Sequence, residues 1–323
     1  MTRFYKILIS LLFLEGLRID KRRTSRIYRS FNRFFFLMIL AFFFSAGLHA
    51  QHSKVVDALK KLKVDSLDEA KVLIDVASKN DTTKVLAHTW YYKGFIYYEL
   101  YKRDKNIDGP KRALAIDYFT RSLELDGNGK YSGNSRTQMN NIAITFYNDA
   151  VNYIYSNDPE KARNSFDIFL QMAVIGNPAI DLRPKKMDIY NALGGLYTRL
   201  YEVNRRANRT YLILAEEYYN KALKIDSLDV NANYNIGILY YNVAVSIING
   251  TDYDIDLVAL DDIQDTSLVL FKESLPYMKY ALKLDPESED VLQGLKGIYW
   301  ALNETERLEE INKRLEELRA KKE

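Results

Sequence analysis

Asp252, Asp254 and Asp256 alternate in the run Asp252-Tyr253-Asp254-Ile255-Asp256, the spacing with which a calcium loop opens. Asp261, Asp262 and Asp265 follow closely and could add oxygen ligands. Such a loop needs a glycine at its sixth position for the sharp turn and a bidentate glutamate at its twelfth. Those places hold Leu257 and Ile263, so the stretch from about Asn249 to Ser267 reads as a solvated acidic insertion and no metal is expected. Gly127-Asn128-Gly129-Lys130 is rich in glycine but lacks the spacing of a phosphate-cradling loop and a preceding strand; it reads as a helix terminator. Of three histidines only His88 lies deep in the chain. With no cysteine and no carboxylate at ligand spacing beside it, His88 reads as a groove or packing residue. No serine forms a nucleophilic triad with it, so neither catalysis nor a cofactor is expected. Asn80, Asn208, Asn249 and Asn303 open Asn-x-Thr tripeptides that fit glycosylation acceptors and are read as incidental.

The composition says what kind of scaffold carries these residues. The chain has 323 residues, 47% hydrophobic and 28% charged, which excludes a wholly disordered protein. Only 14 glycines and 6 prolines favour long helices over a loop-rich β architecture. The absence of cysteine excludes a disulfide scaffold and a thiolate metal site. Twenty-five tyrosines and 15 phenylalanines must be buried or used for binding. Nine of the basic residues fall in positions 1–50, beside only two acids. The remainder holds 37 basic and 41 acidic residues, a net of −4, so the clustered cations that nucleic-acid binding requires are missing.

Those first fifty residues read as an address. The basic run Lys21–Arg33 precedes the apolar stretch Phe34–Phe44 and a small-residue exit, Ser45-Ala46-Gly47-Leu48-His49-Ala50. This order matches a secretory signal peptide cleaved after Ala50, with the body periplasmic or secreted. Kept uncleaved, Phe34–Ala50 would be an N-terminal anchor at the lower limit of a membrane span, the one expected contact with a membrane.

From residue 53 onward, apolar residues recur at helical spacing in blocks separated by short polar breaks, giving about twelve helices. Ser66 with Glu69 and Asn303 with Glu306 have the form of capping boxes, and Asp158-Pro159-Glu160 puts a cap, a first-turn proline and an acid in order. Self-comparison adds more. Trp90-x-x-Lys93-Gly94-x-x-Tyr97 is followed by Ala115-x-x-x-Phe119. Tyr190-x-x-Leu193-Gly194-x-x-Tyr197 is followed by Ala215-x-x-x-Tyr219. Phe146-x-x-Asp149-Ala150-x-x-Tyr153 is followed by Ala162-x-x-x-Phe166. Asn233-x-x-Ile236-Gly237-x-x-Tyr240 opens a fourth unit, closed by Asp285-Pro286, and Lys296-Gly297-x-x-Trp300 opens a fifth.

This pattern resembles the tetratricopeptide repeat, a helix-turn-helix unit of about 34 residues. The resemblance implies an all-α, right-handed superhelical solenoid of about five helix pairs spanning 51–323, each burying an apolar face on its neighbours. Small residues such as Gly94, Gly194 and Gly237 would let paired helices approach, with Tyr97, Phe119, Tyr197 and Tyr219 filling the space beside them. In two units the gap from the first helix to the second is nine residues longer than the family's, which predicts longer helices. The tail from Glu304 carries Leu308, Ile311, Leu315 and Leu318 on one stripe, expected as a capping helix or else a coiled-coil partner site.

In the family, the first helix of each unit lines a concave groove. The matching positions here are His88, Tyr91, Phe95, Tyr98 and Glu99; Tyr147, Val151 and Tyr155; Asp188, Asn191 and Arg199; and Asn231, Tyr234, Tyr241 and Asn242. The resemblance implies that these tyrosine and asparagine side chains hold a peptide segment or a protein partner in the cell envelope. The other readings of this face are tyrosines packed against neighbouring helices, and a glycan or small-molecule binder, which would need exposed stacked tyrosines in a closed pocket.

Overall fold

The structure is a computed structural model that describes residues 54–250 and 256–322. All regular structure among the described residues is α-helical. Twelve helices follow one another: α1 (54–63), α2 (Leu67–Ala77), α3 (Ala87–Asp104), α4 (Lys111–Asp126), α5 (Lys130–Tyr155), α6 (Pro159–Gly176), α7 (Arg183–Val203), α8 (Arg209–Ile225), α9 (Val230–Asn249), α10 (Leu257–Leu284), α11 (Glu289–Ala301) and α12 (Thr305–Lys322). The chain forms two compact units, the first ending at Gln138 and the second beginning at Met139, inside α5. The N-terminal address and Asp252 and Asp254 of the acidic run lie outside the described residues. Among the described residues no helix is long and apolar enough to cross a membrane.

Local chemistry sets the helix ends. Asp158, Asp229, Asp256 and Ser288 each accept a backbone N–H three residues on, from Lys161 (3.1 Å), Ala232 (2.7 Å), Ala259 (2.8 Å) and Val291 (3.5 Å). These bonds satisfy donors that the first helical turn leaves free. Two expected caps differ. Ser66 stands in the N-cap place of α2, but its side chain makes no capping bond. Asn303 does not open α12: it takes the left-handed conformation (φ 57°), and the helix starts at Thr305. The Gly127 turn ends α4 as the sequence suggests, with φ 58°.

Helix pairing follows the glycines. In the first unit a Cβ on Gly94 would lie 2.9 Å from the Phe119 ring of α4. In the second unit one on Gly194 would lie 2.6 Å from Tyr219 Cδ1 of α8, and one on Gly237 would lie 2.6 Å from Met278 of α10. The longer units are built as expected: α3 and α4 have 18 and 16 residues, α7 and α8 have 21 and 17. The acidic insertion is a helical extension for most of its length, since α10 runs 28 residues from Leu257.

The C-terminal pair corrects the expected register. Trp300 does not fill the place that Tyr97 and Tyr197 fill in their units; it is 74% exposed, and its neighbour Tyr299 is buried instead. Gly297 packs under Tyr241 of α9, while Gly294 faces Met278. The tail closes this core as a cap would. Ile311 and Leu315 are buried against Leu292, Leu295 and Ile298, with Leu308 and Leu318 at the edge.

Candidate functional site

Within the second unit, the last turns of α5 and one face of α7 enclose a cleft of about 540 Å³. Asp188, Ala192, Gly195 and Arg199 recur at intervals of three and four residues, so α7 presents them as a single stripe. Tyr147, Val151, Ile154 and Tyr155 face them from α5. Five of the residues picked out on the sequence, Tyr147, Val151, Tyr155, Asp188 and Arg199, therefore line one site.

Each polar group in the cleft has a definite setting. The Tyr147 ring stands edge-on to Phe169 of α6 at 5.2 Å, Lys185 lies over it at 4.2 Å, and its hydroxyl donates to Asp188 Oδ2 at 3.3 Å. Burial, reinforced by the Asp188 carboxylate, pushes the Tyr147 phenol up to about 12. Tyr155 stands at the mouth, 80% exposed. A Cβ on Gly195 would meet nothing nearer than 3.8 Å, where Arg199 Nη1 and the Tyr219 hydroxyl lie. Arg199 is exposed and forms no ion pair among the described residues.

The other candidates go elsewhere. Asn191 turns away from the cleft: its amide donates to Asp229 Oδ1 at 3.0 Å, tying α7 to the capped start of α9, and its own oxygen is buried with no partner among the described residues. Tyr234 and Tyr241 are half-buried on the C-terminal core, Tyr241 5.6 Å from Phe271. Asn231 is exposed at the start of α9 and Asn242 half-buried further along it. In the first unit, Tyr131 from the start of α5 covers the expected face, with its ring 5.8 Å from His88, 5.6 Å from Tyr91 and 6.0 Å from Tyr92. Tyr91 in turn contacts Phe95 and Phe119. Tyr98 is not a groove residue: it is 6% exposed and stacks on Tyr101. Glu99 pairs with Lys102 one turn along the same helix. These rings pack because the neighbouring helix presents further aromatics to them.

No protein-family model matches the sequence, and no curated protein sequence does. Solved structures do match. A tetratricopeptide-repeat protein from Bacteroides fragilis is 15% identical with a TM-score of 0.47, covering 77% of this chain and 97% of its own. A tetratricopeptide-repeat protein from Parabacteroides merdae is 16% identical with a TM-score of 0.23, covering 84% and 93%. A two-repeat-domain segment of yeast Sti1, solved with an HSP90 peptide, is 15% identical with a TM-score of 0.30, covering 84% and 92%. Within this chain, paired helices follow one another with Gly94, Gly194 and Gly237 each set against a large side chain of the helix that follows, the arrangement that the repeat pattern implied.

Sequence reasoning missed one polar cluster. Lys93 occupies a position where the related unit has Leu193, yet it is only 7% exposed. Its ammonium lies 3.1 Å from Asp75 Oδ1 of α2, 2.9 Å from Ser78 Oγ, and 4.4 Å from the centre of the Tyr118 ring. Lys71 and the Tyr97 hydroxyl also donate to Asp75, at 2.9 and 3.0 Å. Burial alone would raise the Asp75 carboxyl, but the donations from Lys71 and Lys93 outweigh it and hold the carboxyl below its ordinary value. Burial and the same carboxylate push the Tyr97 phenol up to about 12. The cluster is closed by its own partners, so it fastens α2 to α3 and offers no open position to a ligand.

Proposed function

We propose that the protein is an exported, non-catalytic binding protein of the cell envelope that takes an extended peptide segment of a partner into the cleft between α5 and α7. Export rests on the basic run and apolar stretch that open the sequence. The carrying observation is a ready-made cleft with an apolar floor, Asp188 at one end of the α7 stripe and the unpaired Arg199 at the other. Eleven helical positions at ~1.5 Å per residue put these two charges roughly 16 Å apart, the length of about five extended residues. That separation suits a ligand with a cationic group at one end and a carboxylate at the other. It is too wide for both groups to act on one reacting atom, which supports a binding rather than catalytic reading. Tyr155 supplies an exposed aromatic at the mouth with a small rotamer cost on ordering. A glycan reading gains nothing here, because the stacked pairs Tyr98–Tyr101 and Tyr197–Tyr218 are buried.

The test is selection from a random heptapeptide display library on the protein, with counter-selection on Arg199→Ala and Tyr155→Ala chains of unchanged helicity. Enriched peptides should carry an acidic side chain or terminus and should bind the Arg199→Ala chain about tenfold more weakly, the scale of ~1.4 kcal/mol for one lost charge-assisted contact. Peptides that bind both variants as well as the parent would refute the cleft.

A further inference from the structure

A second surface of the C-terminal unit has the features of a separate docking site. An apolar groove of about 400 Å³ runs between the start of α10, the end of α9 and the end of α11. Leu260, Ile263, Ser267 and Phe271 form its α10 wall at helical spacing, with Ile248 and Trp300 opposite. Trp300 is 74% exposed, and Leu257, at the open end of the same α10 stripe, is 83% exposed. Large apolar side chains held in water beside a groove are what a partner's apolar face would cover. A second observation is independent of hydrophobicity. Ser267 is 2% exposed and lines the groove, yet among the described residues its hydroxyl oxygen has no hydrogen-bond partner. A buried hydroxyl left unpaired is unfavourable, and a polar group entering the groove would satisfy it.

The charges around the groove select among occupants. Asp261 and Asp265, one turn apart, border the apolar stripe of α10; Asp256 caps its start, and Glu304 follows the end of α11. Asp261 and Asp265 form no ion pair among the described residues. Against these acids stand Lys296, one turn before Trp300, Lys272, two turns beyond Asp265 on α10, and Arg307, three residues after Glu304, so the acids remain in excess. A second copy of this chain docked by twofold symmetry would bring acidic rim onto acidic rim. An anionic lipid surface would meet the same repulsion.

We propose that this groove docks a basic, amphipathic helical segment of a protein partner, with its apolar side chains against Trp300 and Phe271 and its cations over Asp261 and Asp265. This site is distinct from the α5–α7 cleft and does not depend on it. The chain has two tryptophans, so Trp90→Phe leaves Trp300 as the only indole reporter. The probe is a fluorescein-labelled, helical 14-residue peptide of leucine and lysine, with its leucine–glutamate counterpart as control. Titrated against the full chain, the lysine peptide should shift Trp300 emission to the blue and saturate. By anisotropy, Trp300→Ala should weaken it about tenfold or more, and Asp261→Asn with Asp265→Asn several-fold, with a flatter salt dependence. Trp300 and the two aspartates are exposed, so these changes leave the fold intact, as circular dichroism will verify. Ser267→Ala should not lower the unfolding midpoint, because the hydroxyl it removes is buried and makes no hydrogen bond among the described residues. Equal binding of the glutamate peptide, saturation without a Trp300 shift, or no binding would each overturn the proposal. So would Trp300-dependent self-association in sedimentation, or Trp300-dependent co-sedimentation of the chain alone with phosphatidylserine vesicles.

Discussion

Gly194 and Gly195 are neighbours on α7 with opposite surroundings, and substituting each by alanine separates helix propensity from helix packing. A Cβ on Gly194 would lie 2.6 Å from Tyr219 Cδ1 and closer still to the adjoining ring carbon, where ordinary contact begins near 3.4 Å. Tyr219 is 3% exposed, so its ring moves only if α8 moves. Overpacking of this kind costs about 1–3 kcal/mol. The backbone gain of replacing a mid-helix glycine by alanine is about 1 kcal/mol. Gly194→Ala should therefore be neutral to destabilising by about 2 kcal/mol. Gly195→Ala gains the same propensity with nothing nearer than 3.8 Å to obstruct it, so it should stabilise by up to about 1 kcal/mol. The two variants then differ by the packing cost alone. With a urea dependence of about 2 kcal/mol per molar, their unfolding midpoints should be about 0.5–1.5 M apart, Gly195→Ala the higher, read by circular dichroism at 222 nm. Midpoints that move together would refute the claim that Gly194 sets the α7–α8 approach.

The Lys93–Asp75 contact should show coupling: Lys93→Met and Asp75→Asn each destabilise by about 1–3 kcal/mol, and the double variant should lose less than their sum by 0.5 kcal/mol or more, about the range for residues in one network. An additive cycle would show that the pair does not fasten α2 to α3. Because the folded Asp75 carboxyl lies below its unfolded value of about 3.9, its contribution is present above that pH and is lost as pH falls through the folded value. The unfolding midpoint of the parent should accordingly drop more between pH 6 and pH 3 than that of Asp75→Asn; parallel profiles would contradict this. Tyr97 and Tyr147, both pushed up to about 12, stay neutral beyond the unfolded value near ~10, and Tyr240 is raised further by burial and Glu216. Their contribution holds below pH ~10 and is lost as pH rises through the folded values. Absorbance at 295 nm should show phenols still protonated at pH 11 that ionise at once on adding urea, fewer of them in Tyr97→Phe; a native titration matching the unfolded one would refute the assignment.

What was legible in the sequence was whatever depends on residues close along the chain or on a repeated contact. The Asp158 cap, the Gly127 terminator and the stripe of the last helix are local, and each stands where its residues require. The glycine contacts at Gly94, Gly194 and Gly237 are not local, but the same contact recurs and the repeat exposes it. The C-terminal register failed for a related reason. Matching on Gly297 slid the motif by one residue, whereas the Ser288 cap, following Asp285-Pro286, starts α11 so that Tyr299 turns inward and Trp300 outward. The groove face failed differently. Whether a tyrosine is a binding surface depends on what the next helix places over it, and that helix lies tens of residues away. Tyr131 covers His88 and Tyr91, while nothing comparable covers Tyr155. Each face had the same kind of residues, so composition could not tell the packed one from the open one. The Lys93 cluster was hidden by the opposite circumstance. A lysine at an apolar repeat position is tolerable only where a carboxylate on another helix reaches it, and Asp75 sits in the one helix pair that the repeat pattern covered least. An aromatic-rich repeat protein can thus spend most of its tyrosines on holding helices together. The two proposed binding surfaces lie where one helix ends early, as α11 does beside Trp300, and where a glycine leaves room, as Gly195 does beneath Arg199.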